Sequence, residues 1–123
     1  MEYVIIGIGG ILGALSRYAF SKWVGQRWRG DFPLATFFIN ITGSFIMGVL
    51  YVLFSRAGSE FVFLKNLATT GFLGAFTTYS TFSYEIISLI EDREKAIAVI
   101  YFSASLIVGL LSAYAGIILA EHL

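Results

Sequence analysis

The sequence predicts an all-α membrane protein with four transmembrane helices, the third of them discontinuous, and three observations carry that prediction. The 123 residues are 58% hydrophobic and only 13% charged, with a mean hydropathy of +0.83, a composition that suits a bilayer better than water. The charges cluster and leave uncharged runs between them: 24 residues from Phe32 to Ser55, 19 from Asn66 to Tyr84 and 25 from Ala96 to Ala120. A helix needs about 20 apolar residues to cross the hydrocarbon core. The third observation is the middle of the Asn66 to Tyr84 run, Gly71-Phe72-Leu73-Gly74-Ala75-Phe76 followed by five hydroxyl-bearing residues, Thr77 to Thr81. Backbone groups without partners cost several kcal/mol each in a bilayer, so this stretch reads as a helix break whose carbonyls and hydroxyls line a polar cavity or hold an ion.

The spans fall at approximately 3–22, 33–55, 62–90 with a break near 74–79, and 96–120, all in one domain of residues 1–123. Span one is interrupted only by Arg17, close enough to one end for its guanidinium to snorkel to the interface. No basic stretch precedes the apolar run Val4 to Leu15, which argues against a cleaved signal peptide. Pro33, the only proline, suits the first turn of span two, where a missing N–H is harmless, and Asp31 before it favours the helix dipole. Short connections at Lys22–Asp31, Arg56–Lys65 and Glu91–Lys95 make sequential helices antiparallel and put both termini on one side.

Several function classes are disfavoured. There is no Cys, and the one His, His122, lies next to the C-terminal residue, so thiolate metal sites and His-based catalysis are excluded or nearly so and the chain is not expected to be an enzyme. Net charge is zero with no long basic run, so no nucleic-acid partner is expected. Lipid, ions and copies of the chain itself remain. The acidic residues fall at or near span ends, Glu85 among them, which leaves no mid-membrane carboxylate for proton-coupled cation export. The remaining donors are hydroxyls, an amide, Arg17 and the positive edges of aromatic rings, which suit an anion.

Orientation stays open on charge. Lys22, Arg27, Arg29, Arg93 and Lys95 lie on one side, and Arg56, Lys65 and the amino terminus on the other. That bias fits either a fixed orientation with the termini outside or insertion both ways, whose product is an antiparallel, dual-topology homodimer. Polar stripes run along two helices. Thr36, Asn40 and Gly43, with Ser44 beside them, share a face of span two; Tyr101, Ser105, Gly109, Ser112 and Gly116 share one of span four. Gly109, Ser112 and Gly116 read as a packing seam. Asn40, about eight residues into its span, reads equally as interhelical glue or as an anion ligand, and the two roles are compatible.

Gly9-Gly10-Ile11-Leu12-Gly13-Ala14-Leu15-Ser16-Arg17-Tyr18, then Phe32-Pro33-Leu34-Ala35-Thr36 leading to Asn40 and Gly43, then Gly71 to Ser83, resemble in order and spacing three sequence blocks of the Fluc/CrcB fluoride channels. The resemblance covers nearly the whole chain. It implies an antiparallel, dual-topology homodimer in the inner or plasma membrane, with two pores that export toxic fluoride passively. It places the pore amide on Asn40, the stacked pore aromatics on Tyr79 and Phe82, and polar contacts to the path on Thr36, Ser80, Thr81, Tyr101 and Ser105. It also implies a structural Na+ at the dimer interface, bound by the backbone carbonyls of Gly74 and Thr77, and an arginine at Arg17 with either a vestibule or a structural role. Tyr79 departs from the family's usual Phe by one hydroxyl, and Ala35 and Ala75 stand where Gly is common. From spacing alone Tyr79 and Phe82 are equally ordinary lipid or core aromatics. A secondary transporter of another small solute, a structural membrane subunit, and one half of a heterodimeric channel are the alternatives.

Overall fold

The computed structural model describes residues 1–123, and every regular element in it is helical. Three helices are long and apolar enough to cross a membrane: α1 (Glu2–Gly25), α2 (Leu34–Arg56) and α6 (Lys95–Glu121). The chain between α2 and α6 is divided into short pieces. A 3-10 turn (Ser59–Phe61) leads into α3 (Val62–Asn66), a π-helical stretch (Leu67–Leu73), α4 (Gly74–Phe76) and, after a gap at residues 77–79, α5 (Ser80–Glu91). Thr77 is extended, with φ −78° and ψ 158°, which ends the helical path at Phe76.

Local chemistry explains the ends. Pro33 caps α2 from outside, since its ring fixes φ and it needs no amide partner. The α5–α6 connection is a tight C-terminal turn in which the amide of Glu94 donates to the carbonyl of Leu89 (2.7 Å) and that of Arg93 to Ile90 (3.1 Å). Arg93 has φ 64°, the left-handed conformation that such a turn requires and that glycine usually supplies.

Packing sets the directions. Glycines on α1 bring it against the π-helical stretch: a Cβ on Gly9 would strike the carbonyl of Leu67, and one on Gly13 the carbonyl of Phe72. At one end of this pair the Asn66 amide donates to Glu2 (2.8 Å), so α1 and the third segment run in the same direction. The α2–α6 seam is built in the same way. Gly48 faces the Ala113 carbonyl, Gly116 faces the Phe45 carbonyl, and the Ser112 hydroxyl donates to the Ile41 carbonyl (2.8 Å). Arg56 closes that pair by donating to the carbonyls of Ala120 (3.2 Å) and Glu121 (3.3 Å), a cation on the negative end of α6. Those contacts advance together along both helices, so α2 and α6 are parallel. The helices alternate in direction, and both termini lie at the end away from the first and third connections.

Only 16 of 123 residues are buried within the chain, although more than half are hydrophobic. The outward apolar surface of α1 and α6, from Tyr3 to Tyr18 and from Val99 to Tyr114, therefore needs lipid or another protein surface against it.

Candidate functional site

The site grows from one side chain on α2. Asn40 meets the gap between α4 and α5 with both ends of its carboxamide. Its Nδ2 donates to the Thr78 carbonyl (3.1 Å), and its Oδ1 accepts from the Thr78 amide (2.9 Å). The backbone N–H must be the donor in the second bond, which fixes the orientation of the amide. One Nδ2 hydrogen is left over.

That pairing has a consequence for the backbone. In an unbroken helix the Thr78 amide would donate to the Gly74 carbonyl, and the Thr81 amide to the Thr77 carbonyl. Here the first is taken by Asn40, and the second donates to the Thr78 hydroxyl (3.2 Å), which caps the start of α5. The carbonyls of Gly74 and Thr77 are thereby deprived of their helical donors. Hard, neutral oxygen ligands of this kind suit Na+, so the donor set fits the cation expected there.

Beside the gap lies a cavity of ≈ 470 Å³ whose wall includes Asn40, Thr77, Thr78, Tyr79, Phe82 and Ser105, with Gly43, Met47 and Phe102 among the others. The Ser105 hydroxyl oxygen is buried in this wall without any hydrogen-bond partner. Such an orphan costs about 1–3 kcal/mol. Tyr79, by contrast, is 81% exposed although it sits halfway along its segment.

The structure divides the sequence-predicted residues into groups. Asn40, Thr77, Tyr79, Phe82 and Ser105 share the cavity. Ser80 and Thr81 do not line it; their hydroxyls gather on that of Thr78, at 3.3 and 3.2 Å. Gly74 is exposed just outside it. Thr36 and Tyr101 are buried further along the chain's interior, where the Tyr101 hydroxyl donates to Glu85 (3.0 Å). Arg17 lines neither this cavity nor the next.

Glu85 lies in α5, which ends at Glu91 beside the expected span end, and it lines a cavity at that membrane end. What sequence reasoning missed is its bond to Tyr101; the available signal was its spacing of three from Phe82, which sets both on one face of α5. Tyr101 connects them, with its ring 5.0 Å from Phe82 and 5.3 Å from Phe32. A second cavity of ≈ 420 Å³, with Glu85 in its wall, opens at the membrane end formed by the first and third connections, among Ser21, Trp28, Asp31, Asp92 and Glu94. Polar groups thus follow one another from that mouth through Glu85, Tyr101 and Thr36 to Phe82 and the Asn40 cavity.

A chain that crosses the membrane several times and interrupts one segment beside a cavity with an amide and hydroxyls in its wall has the architecture of membrane channels and transporters. Residues 4–117 match the family model described as CrcB-like protein, Camphor Resistance (CrcB), and the chain belongs to that family. It is 43% identical over 116 residues to the protein of Clostridium acetobutylicum named fluoride-specific ion channel FluC 2, covering 94% of this chain and 95% of that one. Proteins of the same name from Geobacillus kaustophilus (43% identity, 98% of this chain, 94% of the relative) and Moorella thermoacetica (42%, 100% and 99%) are similarly close.

Proposed function

We propose that this protein is a fluoride-selective channel of the inner or plasma membrane that exports fluoride passively, and that it works as an antiparallel, dual-topology homodimer with two pores. The observation that carries the proposal is the Asn40–Thr78 pair, which holds the third segment open beside a cavity containing an unpartnered hydroxyl. A small anion that sheds water needs donors in its place. The free Nδ2 hydrogen of Asn40, the Ser105 and Tyr79 hydroxyls and the positive edge of the Phe82 ring supply them. Glu85 lines the mouth cavity, where Tyr101 engages it, and is not part of the Asn40 cavity wall. Thr36 and Tyr101 continue the route toward the mouth, while Ser80 and Thr81 brace the start of α5. Arg17, on α1, adds positive charge that concentrates anions near one end.

The second copy has two functions in this reading. It covers Tyr79, whose exposure within its segment calls for a protein neighbour. It would also complete a cation site, in which the backbone carbonyls of Gly74 and Thr77 from each chain would hold a structural Na+. The discontinuous third helix is then a functional feature that supplies the pore wall and the cation ligands together. No catalytic residue is required.

A heterodimer with a related chain is the second reading, and the numeral in the name FluC 2 carried by all three relatives favours it. The test uses purified protein in liposomes loaded with potassium fluoride, with a potassium ionophore and a fluoride electrode outside and chloride-loaded vesicles as the control. Fluoride release without chloride release supports a selective homomeric channel. Release no faster than from protein-free vesicles overturns the homodimer, and release that requires a proton or sodium gradient points to a secondary transporter.

A further inference from the structure

Gly43 follows Asn40 by three residues on the same face of α2, and both stand in the wall of the cavity beside the gap. Gly43 is buried. A Cβ placed on it would strike the Cγ2 methyl of Thr77 and would meet the Phe76 ring only at 3.8 Å, an ordinary contact. The missing side chain therefore makes room for one methyl group of the break. Gly48 and Gly116 differ from it, since each lies against a backbone carbonyl of the opposite helix. Thr77 has little freedom to turn that methyl away. Its hydroxyl and its amide both donate to the Leu73 carbonyl, at 2.9 and 3.0 Å. A rotation about χ1 that carried the methyl clear of position 43 would carry the hydroxyl off that carbonyl. The next residue, Thr78, is the one whose amide and carbonyl both meet Asn40. One turn of α2 thus receives two consecutive residues, the Thr77 methyl at Gly43 and the Thr78 backbone at Asn40.

We propose that Gly43 is a positioning residue of the anion path: it seats the Thr77 methyl, and the depth of that seat sets how closely the break approaches α2 and brings Thr78 to Asn40. A methyl at position 43 would hold Thr77 away from α2. The Asn40–Thr78 bonds, at 2.9 and 3.1 Å, lie one residue further on, and bonds of that length are lost on lengthening by about 0.5 Å. The Thr77 carbonyl belongs to the same residue as the seated methyl and would shift with it. Tyr79, which follows Thr78 on the cavity wall, is carried by the same backbone. The effect on fluoride rests on the channel reading; the seating of Thr77 does not.

The experiment introduces Gly43→Ala and Gly48→Ala into the full chain, each with and without Thr77→Ser. Fluoride release per folded protein is measured in the liposomes described above, and backbone amide exchange in detergent is followed by mass spectrometry. Gly43→Ala should slow release about tenfold, on the scale of a modest overpacking cost. It should also speed exchange in peptides covering residues 74–82, while peptides of the α2–α6 seam around Ser112 keep the parent's protection. Thr77→Ser removes the methyl and keeps the hydroxyl for Leu73, so adding it to Gly43→Ala should restore most of the release and the protection. It should not rescue Gly48→Ala, whose new methyl meets the Ala113 carbonyl instead. A glycine that serves only helix packing would loosen the seam as Gly48→Ala does and gain nothing from Thr77→Ser. That result, or release from Gly43→Ala as fast as from the parent, overturns the proposal. If Gly43→Ala alone does not fold, recovery of folded protein with Thr77→Ser supports the seat, and no recovery overturns it. No fluoride release from the parent would instead remove the channel reading, and the exchange pattern with its rescue would still decide whether Gly43 seats Thr77.

Discussion

Small and polar residues enter the membrane in two places, the α2–α6 seam and the gap between α4 and α5. At the seam every group has its counterpart within the chain: Gly48 and Gly116 lie against backbone carbonyls, and Ser112 donates to Ile41. At the gap the accounts stay open, with the Ser105 hydroxyl unpartnered, the Gly74 and Thr77 carbonyls without their helical donors and Tyr79 exposed. The difference teaches how to separate structural polarity from functional polarity in a bilayer. A satisfied group explains itself as packing, whereas an unsatisfied one points to something that comes from outside the chain.

The largest expected effect breaks the comparison at its hinge. Asn40→Ala removes both bonds to Thr78 and leaves a buried N–H and C=O unpaired at about 1–3 kcal/mol each. Fluoride release should fall to that of protein-free vesicles, and thermal unfolding in detergent should shift down by a comparable stability loss. A variant that melts and conducts like the parent would show that the pair does not hold the gap open.

Next comes the seam. Gly116→Val drives a side chain into the Phe45 carbonyl and should destabilise the protein by about 1–3 kcal/mol or more, seen as a lowered unfolding midpoint and a loss of monodisperse material. Gly7→Ala, with no atom within 4 Å of the new methyl, is the matched control and should change neither.

Two serines on α6 give the sharpest test because they are chemically identical. Ser112→Ala loses a satisfied bond, so stability should drop by about 1 kcal/mol with fluoride release per folded protein unchanged. Ser105→Ala removes an orphan, so stability should hold within about 0.5 kcal/mol or rise, while release slows. If both substitutions lower stability equally and neither touches release, the distinction between seam and site fails.

How much of this was legible beforehand depends on the range of the interaction. The all-helical membrane class follows from composition and charge spacing, because a bilayer without water obliges every backbone group to be satisfied locally. The π-helical stretch at Leu67–Leu73 had no comparable signal. It forms where Gly9 and Gly13 of α1 let two backbones approach, a contact made between distant parts of the chain. Glu85 was legible as a residue near a span end but not as the partner of Tyr101, because that contact joins two helices across 16 positions.

By itself, then, the sequence determined that the chain is helical, that it lives in a membrane, and that its polar residues recur on two helical faces. Hydrophobicity and helical periodicity are properties of neighbouring residues and survive without a fold. The tertiary structure alone decided which polar groups find partners. Asn40 meets Thr78 across 38 positions and Arg56 meets Ala120 across 64, whereas Ser105, on the same helix as Ser112, meets nothing. Whether a hydroxyl is glue or a ligand depends on what stands opposite it, and that is settled only when the helices pack.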